Sequence, residues 1–209
     1  MRNRGFALVR QSHTMLSRPS FQRMKYEIRS LTRAHAADAS AIIHESFLAL
    51  AAADWRPDAQ SAFLATTALP PLQNKLSMMT FSAGAFSDGG MVGVILMASP
   101  SLLGLLFVRP RWLRLGIGRA LWESARAHIE TRFPEVHTVE LNATPYAVRF
   151  YESVGFVRIS SEFERDGQRH QPARSARACS EPSFQRLWGG RELKCTERRV
   201  GCLCDSAVC

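Results

Sequence analysis

Cysteine is missing from most of this chain. All five cysteines lie in the last 31 of the 209 residues, and the first 178 residues contain none. A domain built from the cysteine-free part needs no disulfide, which excludes a small disulfide-stabilised scaffold. Cys202 and Cys204 lack the paired two-residue gaps and the histidine that are typical of a zinc site, so we predict no metal site.

Long hydrophobic runs are missing as well. A helix that spans a bilayer needs about 18 uncharged apolar residues, and the longest candidate, residues 91–108, is interrupted by Ser99, Pro100, Ser101 and Gly104. This pattern excludes a membrane span and, together with the thiol-free central part, favours a cytoplasmic protein. A hydrophobic content of 46% with 22% charged residues is typical of one globular core and excludes a wholly disordered chain.

Acidic residues are missing from the amino-terminal segment. Residues 1–25 contain six Lys or Arg and no Asp or Glu, whereas residues 168–209 contain eight basic and four acidic residues. Of the formal net charge of +9, residues 26–167 therefore carry only −1. The basic character belongs to the two ends, which argues against a nucleic-acid-binding function of the central part.

These differences divide the chain into three parts. We predict a basic, disordered extension over residues 1–24, a folded domain over 25–173, and a disordered tail rich in cysteine and arginine over 174–209. The extension has two interpretations. It is either a segment upstream of a start near Met24, or an organellar transit peptide, which is also arginine-rich and free of acids.

Strand and helix patterns alternate within the predicted domain. Strand patterns occupy residues 26–31, 78–86, 91–98, 102–108 and 137–141, and helix patterns occupy 36–52, 58–68 and 115–132. Pro70 and Pro71 are expected to end the second helix. A last helix, capped by the Thr144 side chain and ended by Gly155, precedes a hairpin with a turn at Asp166-Gly167. This order predicts an α/β or α+β domain.

Residues 108–121 form the most informative segment. They combine the end of a strand, a proline turn and two glycines, Gly116 and Gly118, at the start of a helix. Glycine lets a backbone approach a ligand closely, and the free N–H groups of a first helical turn suit a phosphate. Arg114 and Arg119 would add positive charge there. The glycine pair by itself is equally consistent with close packing of a helix on a sheet.

A second segment, residues 141–156, contains Asn-Ala-Thr-Pro and then Ala-x-x-Phe-Tyr-x-x-x-Gly-Phe. Together the two segments resemble the GNAT superfamily of acetyl-CoA-dependent N-acetyltransferases, and the order of elements over residues 25–173 is similar too. The resemblance implies a GNAT-like mixed, mostly antiparallel sheet flanked by helices. It also implies acetyl-CoA as cosubstrate without a metal, and a small-molecule or peptide amine as acceptor, and it leaves a homodimer open.

The resemblance further implies which residues hold acetyl-CoA. Backbone N–H groups of the strand over residues 102–108 would align the acetyl group and the pantetheine arm, at Leu106, Phe107 and Val108. The turn and helix start would hold the pyrophosphate, at Arg114, Leu115, Gly116, Ile117, Gly118 and Arg119. Asn142 would contact CoA or the acceptor, or else cap its turn. Leu113 departs from the family pattern, which usually has Gln or Arg at this position, so a side-chain contribution to CoA binding is in doubt there.

Tyr151 is the predicted catalytic residue. Amine acetylation needs an acid that protonates the leaving thiolate, and an ordinary phenol pKa of about 10 makes Tyr151 a suitable donor. Packing is the competing interpretation, because Tyr151 shares one helical face with Ala147, Phe150 and Val154. The general base is not identified. Glu140, His44 and Glu45 are candidates, and an exposed polar surface explains each of them equally well.

The predicted function is therefore an N-acetyltransferase that moves an acetyl group from acetyl-CoA to an amine by direct attack, with Tyr151 as general acid. The alternative is an acyl-CoA-binding regulatory module without turnover. Leu113 favours it, and so does the predicted tail, because family members usually end soon after the last strand whereas 36 residues without strand periodicity follow Ala173 here. A nucleic-acid-binding protein is a third hypothesis that depends only on the basic ends.

Overall fold

Within the computed structural model, residues 25–176 are described. The predicted extension and residues 177–209 of the predicted tail lie outside the described residues. The described strands are β1 (Glu27–Ser30), β2 (Phe81–Ser87), β3 (Gly90–Ser99), β4 (Leu102–Val108), β5 (Thr138–Ala143), β6 (Phe156–Arg158), β7 (Phe163–Arg165) and β8 (Gln168–Ala176). The described helices are α1 (Ala36–Leu50), α2 (Pro57–Thr66), α3 (Leu69–Met78), α4 (Ile117–Arg132) and α5 (Val148–Ser153).

The strands form one sheet in the order β1-β2-β3-β4-β5-β8-β6, and β7 pairs only with β8 at the side of this sheet. Neighbouring strands are antiparallel except for β4 and β5, which are parallel. Helices cover both faces of the sheet. The prediction of a mixed, mostly antiparallel sheet flanked by helices is confirmed.

Strand β3 shows how the two faces are filled, because successive side chains of a strand point to opposite faces. Val94 and Leu96 pack in one cluster with residues of α1 and α3. Ile95 and Met97 pack in the other cluster with the apolar face of α4. The four α4 residues that the sequence spacing places on this face are all buried, at Ile117, Leu121, Ala125 and Ile129.

One helix was missed by the sequence prediction. Pro70 and Pro71 do not end α2; they lie in the first turn of a separate helix, α3. Proline is tolerated there, because the first N–H groups of a helix have no partner within the helix. The strand predicted from residue 78 consequently begins at Phe81.

The carboxyl end of the domain also differs from the prediction. The last strand, β8, continues to Ala176 and lies between β5 and β6, so residues 174–176 belong to the sheet and not to a tail. Thr144 makes no side-chain capping hydrogen bond, and the helix after it starts with a 3₁₀ turn over Pro145–Ala147. Asp166 and Gly167 both have positive φ, as a two-residue hairpin turn requires. No helix among the described residues is long and apolar enough to cross a membrane.

Candidate functional site

The parallel strands β4 and β5 separate toward their carboxyl ends. Their only ladder pair within residues 25–176 joins Leu102 to Glu140, at the start of β4. At the other end, the Arg109 N–H donates to Val92 O on β3 at 2.9 Å. Since backbone groups alternate in direction along a strand, those of Val108 and Leu106 point away from β3, toward the gap beside β5. The fold therefore leaves main-chain donors and acceptors of β4 facing a cleft.

The cleft leads to the start of α4 through residues 109–116, which we call the glycine turn. This turn begins with a 3₁₀ turn over Pro110–Trp112 and contains two left-handed residues, Arg114 and Gly116. Gly116 is the N-cap of α4, and the first amide bonded back to it is that of Ala120, at 3.0 Å. The amides of residues 117–119 thus have no partner within the helix. They make an anion-binding end, with the positive end of the helix dipole behind them.

Four arginines and no acidic residue occur in residues 109–119. The guanidinium of Arg119 donates to Ser153 O at the end of α5, at 2.7 Å, so this side chain joins α4 to α5. One of its N–H donors is therefore occupied, while its positive charge remains near the helix start. Arg114 is exposed and has no ion pair among the described residues. Leu115 is also exposed, beside the N-cap.

Glu45 and Ser46 of α1 contact the end of β4 and the first residue of the glycine turn, Arg109. The sequence analysis did not predict these contacts. Ser46 is fully buried, and its hydroxyl donates to Val108 O at 3.1 Å. The carboxylate of Glu45 forms an ion pair with the Arg109 guanidinium. Ser46 interrupts the apolar stripe of α1 between Ile43 and Phe47, and this polar residue on a buried face was the available sequence signal.

Tyr151 lies on α5, with 9% of its surface exposed. It shares its buried cluster with Val108 and Ala143, the last residues of β4 and β5. Its ring packs on Phe150 and Phe156, with centroids 5.1 and 5.5 Å away. Burial raises the pKa of Tyr151 above the ordinary phenol value. Tyr151 is thus a buried side chain in the cluster that contains the ends of β4 and β5, and it is a more weakly acidic phenol than the sequence argument assumed.

The candidate residues of β5 differ in position. Asn142 is exposed and faces Pro172 of β8 in the strand register. Glu140 lies beside Leu102, where β4 and β5 are still paired, and its carboxylate accepts from Arg174 of β8 at 2.9 Å. The Glu140 carboxylate is therefore bound to Arg174 and lies where β4 and β5 are paired, so it is poorly placed to take a proton from an amine in the cleft.

His44 is engaged as well. The Thr67 hydroxyl donates to Phe63 O at 2.7 Å, and Nε2 of His44 lies 3.0 Å from the oxygen of the same hydroxyl. This contact links α1 to the connection between α2 and α3. Nε2 of His44 is therefore engaged by the Thr67 hydroxyl.

The hairpin of β7 and β8 is attached to the connection between α1 and α2. Trp55 forms an isolated bridge with Gln168, and the Arg56 N–H donates to Gly167 O at 2.9 Å. The His170 ring lies between the rings of Phe163 and Trp55, with centroids 5.4 and 6.3 Å away. Burial lowers the pKa of His170, and the Arg165 charge adds to this effect. An open pocket lies beside this contact, lined in part by Asp58, Glu164 and Asp166.

Comparisons with known proteins agree on one family. Residues 51–176 match the family model described as an acetyltransferase (GNAT) domain. No curated protein sequence matches the chain. Among solved structures, a GCN5-related N-acetyltransferase from Rhodopseudomonas palustris is similar, with a TM-score of 0.64 and 20% identity over 73% of this chain and 97% of that one. The PaiA N-acetyltransferase from Thermoplasma acidophilum, solved in complex with coenzyme A, has a TM-score of 0.62 and 17% identity over 74% and 100% of the two chains.

Proposed function

The chain belongs to the GNAT acetyltransferase superfamily, and on this basis we propose that it transfers an acetyl group from acetyl-CoA to an amine by direct attack. The observation that carries the proposal is the cleft between β4 and β5, which ends at the unpaired amides of α4. A thioester on a pantetheine arm fits a narrow cleft with main-chain polar groups, and a pyrophosphate fits a helix start. The PaiA relative, which was solved with coenzyme A, supports the choice of ligand.

The resemblance to the family suggests the cosubstrate residues, and the cleft and the glycine turn support the assignment. In the cleft, the main chain of residues 106–108, which are Leu106, Phe107 and Val108, would bind the pantetheine arm. At the glycine turn, the amides of the helix start would bind the pyrophosphate, at Leu115, Gly116, Ile117, Gly118 and Arg119, with the Arg114 side chain beside them. Asn142, which is exposed on β5, would contact the arm or the acceptor from the other side of the cleft.

The reaction requires no covalent enzyme intermediate. The lone pair of a neutral amine attacks the acetyl carbonyl, the C–S bond of the tetrahedral adduct breaks, and the new amide loses one proton as the thiolate gains one. We propose that the Tyr151 hydroxyl donates the proton that the thiolate gains, because Tyr151 lies in one buried cluster with the last residues of both cleft strands. The raised pKa of Tyr151 keeps the phenol protonated before the attack, and it also makes the phenol a weaker proton donor to the thiolate than an ordinary tyrosine.

We assign no general base to the three residues that the sequence suggested. Glu140, His44 and Glu45 are bound to Arg174, Thr67 and Arg109, respectively. An amine that reaches the cleft in its neutral form can attack without a protein base, and its proton is released after the attack. This assignment leaves the acceptor as a small-molecule or peptide amine.

A regulatory module that binds acyl-CoA without turnover is the second candidate. Two observations favour it: Leu113 replaces the usual polar residue, and burial makes Tyr151 a weaker acid. The two candidates predict the same CoA binding and differ in thiol release. Release of CoA thiol from acetyl-CoA in the presence of an amine panel supports the enzyme, and saturable binding without release supports the module.

The CoA site is tested by a charge placed beside the helix start. Leu115→Glu puts a carboxylate next to the N-cap of α4, where it repels a pyrophosphate but does not disturb the buried core. We expect calorimetric CoA affinity to fall about tenfold or more at low salt, and less at high salt because salt screens the repulsion. Leu115→Gln has a similar size and no charge, and it should bind CoA nearly as the unchanged protein does. Equal affinities of the two variants would contradict the site.

A further inference from the structure

Arg109 is held by three contacts at the point where β4 enters the glycine turn. Its main-chain N–H donates to Val92 O at 2.9 Å, and its Nε donates to Met91 O at 3.2 Å, both on β3. Its terminal nitrogen forms the ion pair with Glu45 of α1. The backbone N–H of Arg109 and one side of its guanidinium are thus fixed to β3, and the other side of the guanidinium is fixed to α1.

The glycine turn starts on this fixed residue. Pro110 has no N–H, and the first hydrogen bond of the turn runs from the Trp112 N–H to Arg109 O at 2.8 Å. Only Leu113 separates Trp112 from Arg114, the first of the two left-handed residues, and the N-cap Gly116 follows two residues later. A displacement of Arg109 would therefore be passed on to the amides at the start of α4.

The ion pair is partly shielded from water. The side chain of Arg109 is 24% exposed and that of Glu45 is 41% exposed. A pair in this position is screened less than one on an open surface. Beside it, the buried Ser46 hydroxyl fixes the preceding carbonyl, that of Val108. Helix α1 thus contacts Val108, the last residue of β4, and Arg109, the residue after it. The Glu45 carboxylate neutralises the charge of Arg109.

We propose that Glu45 is a positioning residue for the pyrophosphate end of coenzyme A: its carboxylate holds Arg109, and Arg109 fixes the start of the glycine turn. This inference rests on the proposed function and adds to it a residue from outside both sequence motifs. Arg109 itself is then not a phosphate ligand, although it belongs to the arginine-rich turn.

The test compares two ligands on the full chain. Pantetheine shares the thiol arm of CoA and lacks the pyrophosphate. Glu45→Gln retains the size of the side chain and removes its charge, and Arg109→Lys retains the charge and removes the planar guanidinium with its Nε donor. We expect both variants to weaken calorimetric CoA binding about five- to tenfold. Pantetheine binding should stay within about twofold of that of the unchanged protein.

Glu130→Gln is the matched control, because Glu130 pairs with Arg126 on the surface of α4, at 3.9 Å. It should leave both affinities unchanged. If Glu45→Gln weakens CoA and pantetheine equally, leaves CoA binding unchanged, or unfolds together with Arg109→Lys, the inference is overturned, because Glu45 then has only a structural role or none. An unchanged protein that binds neither ligand would overturn the proposed function and the inference together.

Discussion

The backbone of Gly118 and the ring of Phe150 are in direct contact: a Cβ at Gly118 would lie 3.1 Å from two atoms of that ring. The second glycine of the first sequence motif therefore packs against the phenylalanine of the second motif. Gly116 has a different requirement, since its φ of 81° places it in the left-handed region. Each glycine of the Gly-x-Gly pair is thus explained by local geometry, before any ligand is considered.

Gly118→Ala should lower stability despite the better helix propensity of alanine. The added methyl group overpacks the contact with Phe150, at a cost of about 1–3 kcal/mol, and the gain in propensity is about 1 kcal/mol or less at this first-turn position. We expect a net loss of about 1 kcal/mol in the free energy of unfolding, measured by urea denaturation. Gly89→Ala is the control, because no atom lies within 4 Å of its Cβ position. Equal stability of both variants would show that the ring moves aside freely.

Tyr151→Phe separates acid catalysis from packing. The variant keeps the ring that contacts Phe150 and Phe156 and removes only the hydroxyl. We expect kcat to fall about 100-fold, with CoA affinity and melting temperature close to those of the unchanged protein. Because burial raises the pKa of Tyr151, the phenol stays protonated at least to about pH 10, and kcat should show no alkaline decline from this group below that pH. An undiminished kcat would make Tyr151 a packing residue.

Arg114 and Arg119 should contribute unequally to the binding of CoA. Arg114→Gln removes an exposed charge that has no ion pair among residues 25–176, so we expect a loss of about three- to tenfold in CoA affinity and a weaker salt dependence. Arg119→Gln removes the bond to Ser153 O, so it should lower the melting temperature and change CoA affinity less. Calorimetry at two salt concentrations with thermal unfolding of both variants distinguishes the two roles. A larger affinity loss in Arg119→Gln would contradict them.

His170 should make stability depend on pH. Its pKa is lowered in the folded state, so between the folded and the unfolded pKa the unfolded chain binds more protons. Stability contributed by the neutral imidazole is therefore present above about pH 6.5, the ordinary value, and is lost as the pH falls below it. We expect the fall in melting temperature from pH 7 to pH 5 to be smaller in His170→Phe. The exposed His137, changed to Asn, should leave that fall as it is, and an identical fall in all three proteins would refute the prediction.

The end of the domain can be located by truncation. A chain that ends at Ala173 loses the pairing of residues 174–176 with β5 and that of Arg174 and Ser175 with β6. Several ladder hydrogen bonds are lost, so the free energy of unfolding should fall by about 2 kcal/mol or more relative to a chain that ends at Ala176. Chemical denaturation of the two truncated chains measures the difference. Equal stability would show that these three residues add nothing to the sheet.

The sequence predicted most elements because their patterns are local. The four-residue spacing of Ile117, Leu121, Ala125 and Ile129 predicted the buried face of α4, and all four are buried. Asp166-Gly167 predicted a hairpin turn, and both residues have the positive φ that such a turn requires. The prediction at Pro70 and Pro71 was wrong, because proline occurs both after the end of a helix and in the first turn of one, and the sequence does not distinguish the two cases.

The sequence by itself determined most of the strands and helices, because short-range periodicity and turn chemistry are local, and its two motifs carried the resemblance to the family. Only the tertiary structure decided what each site residue contacts. The Glu45 and Arg109 pair spans 64 positions, the Ser46 and Val108 bond spans 62, and the separation of β4 from β5 depends on strands joined through α4. Such contacts are set by how the layers pack, and no local pattern encodes them. The same packing buried Tyr151 and thereby raised the pKa that its sequence context had left at the ordinary value.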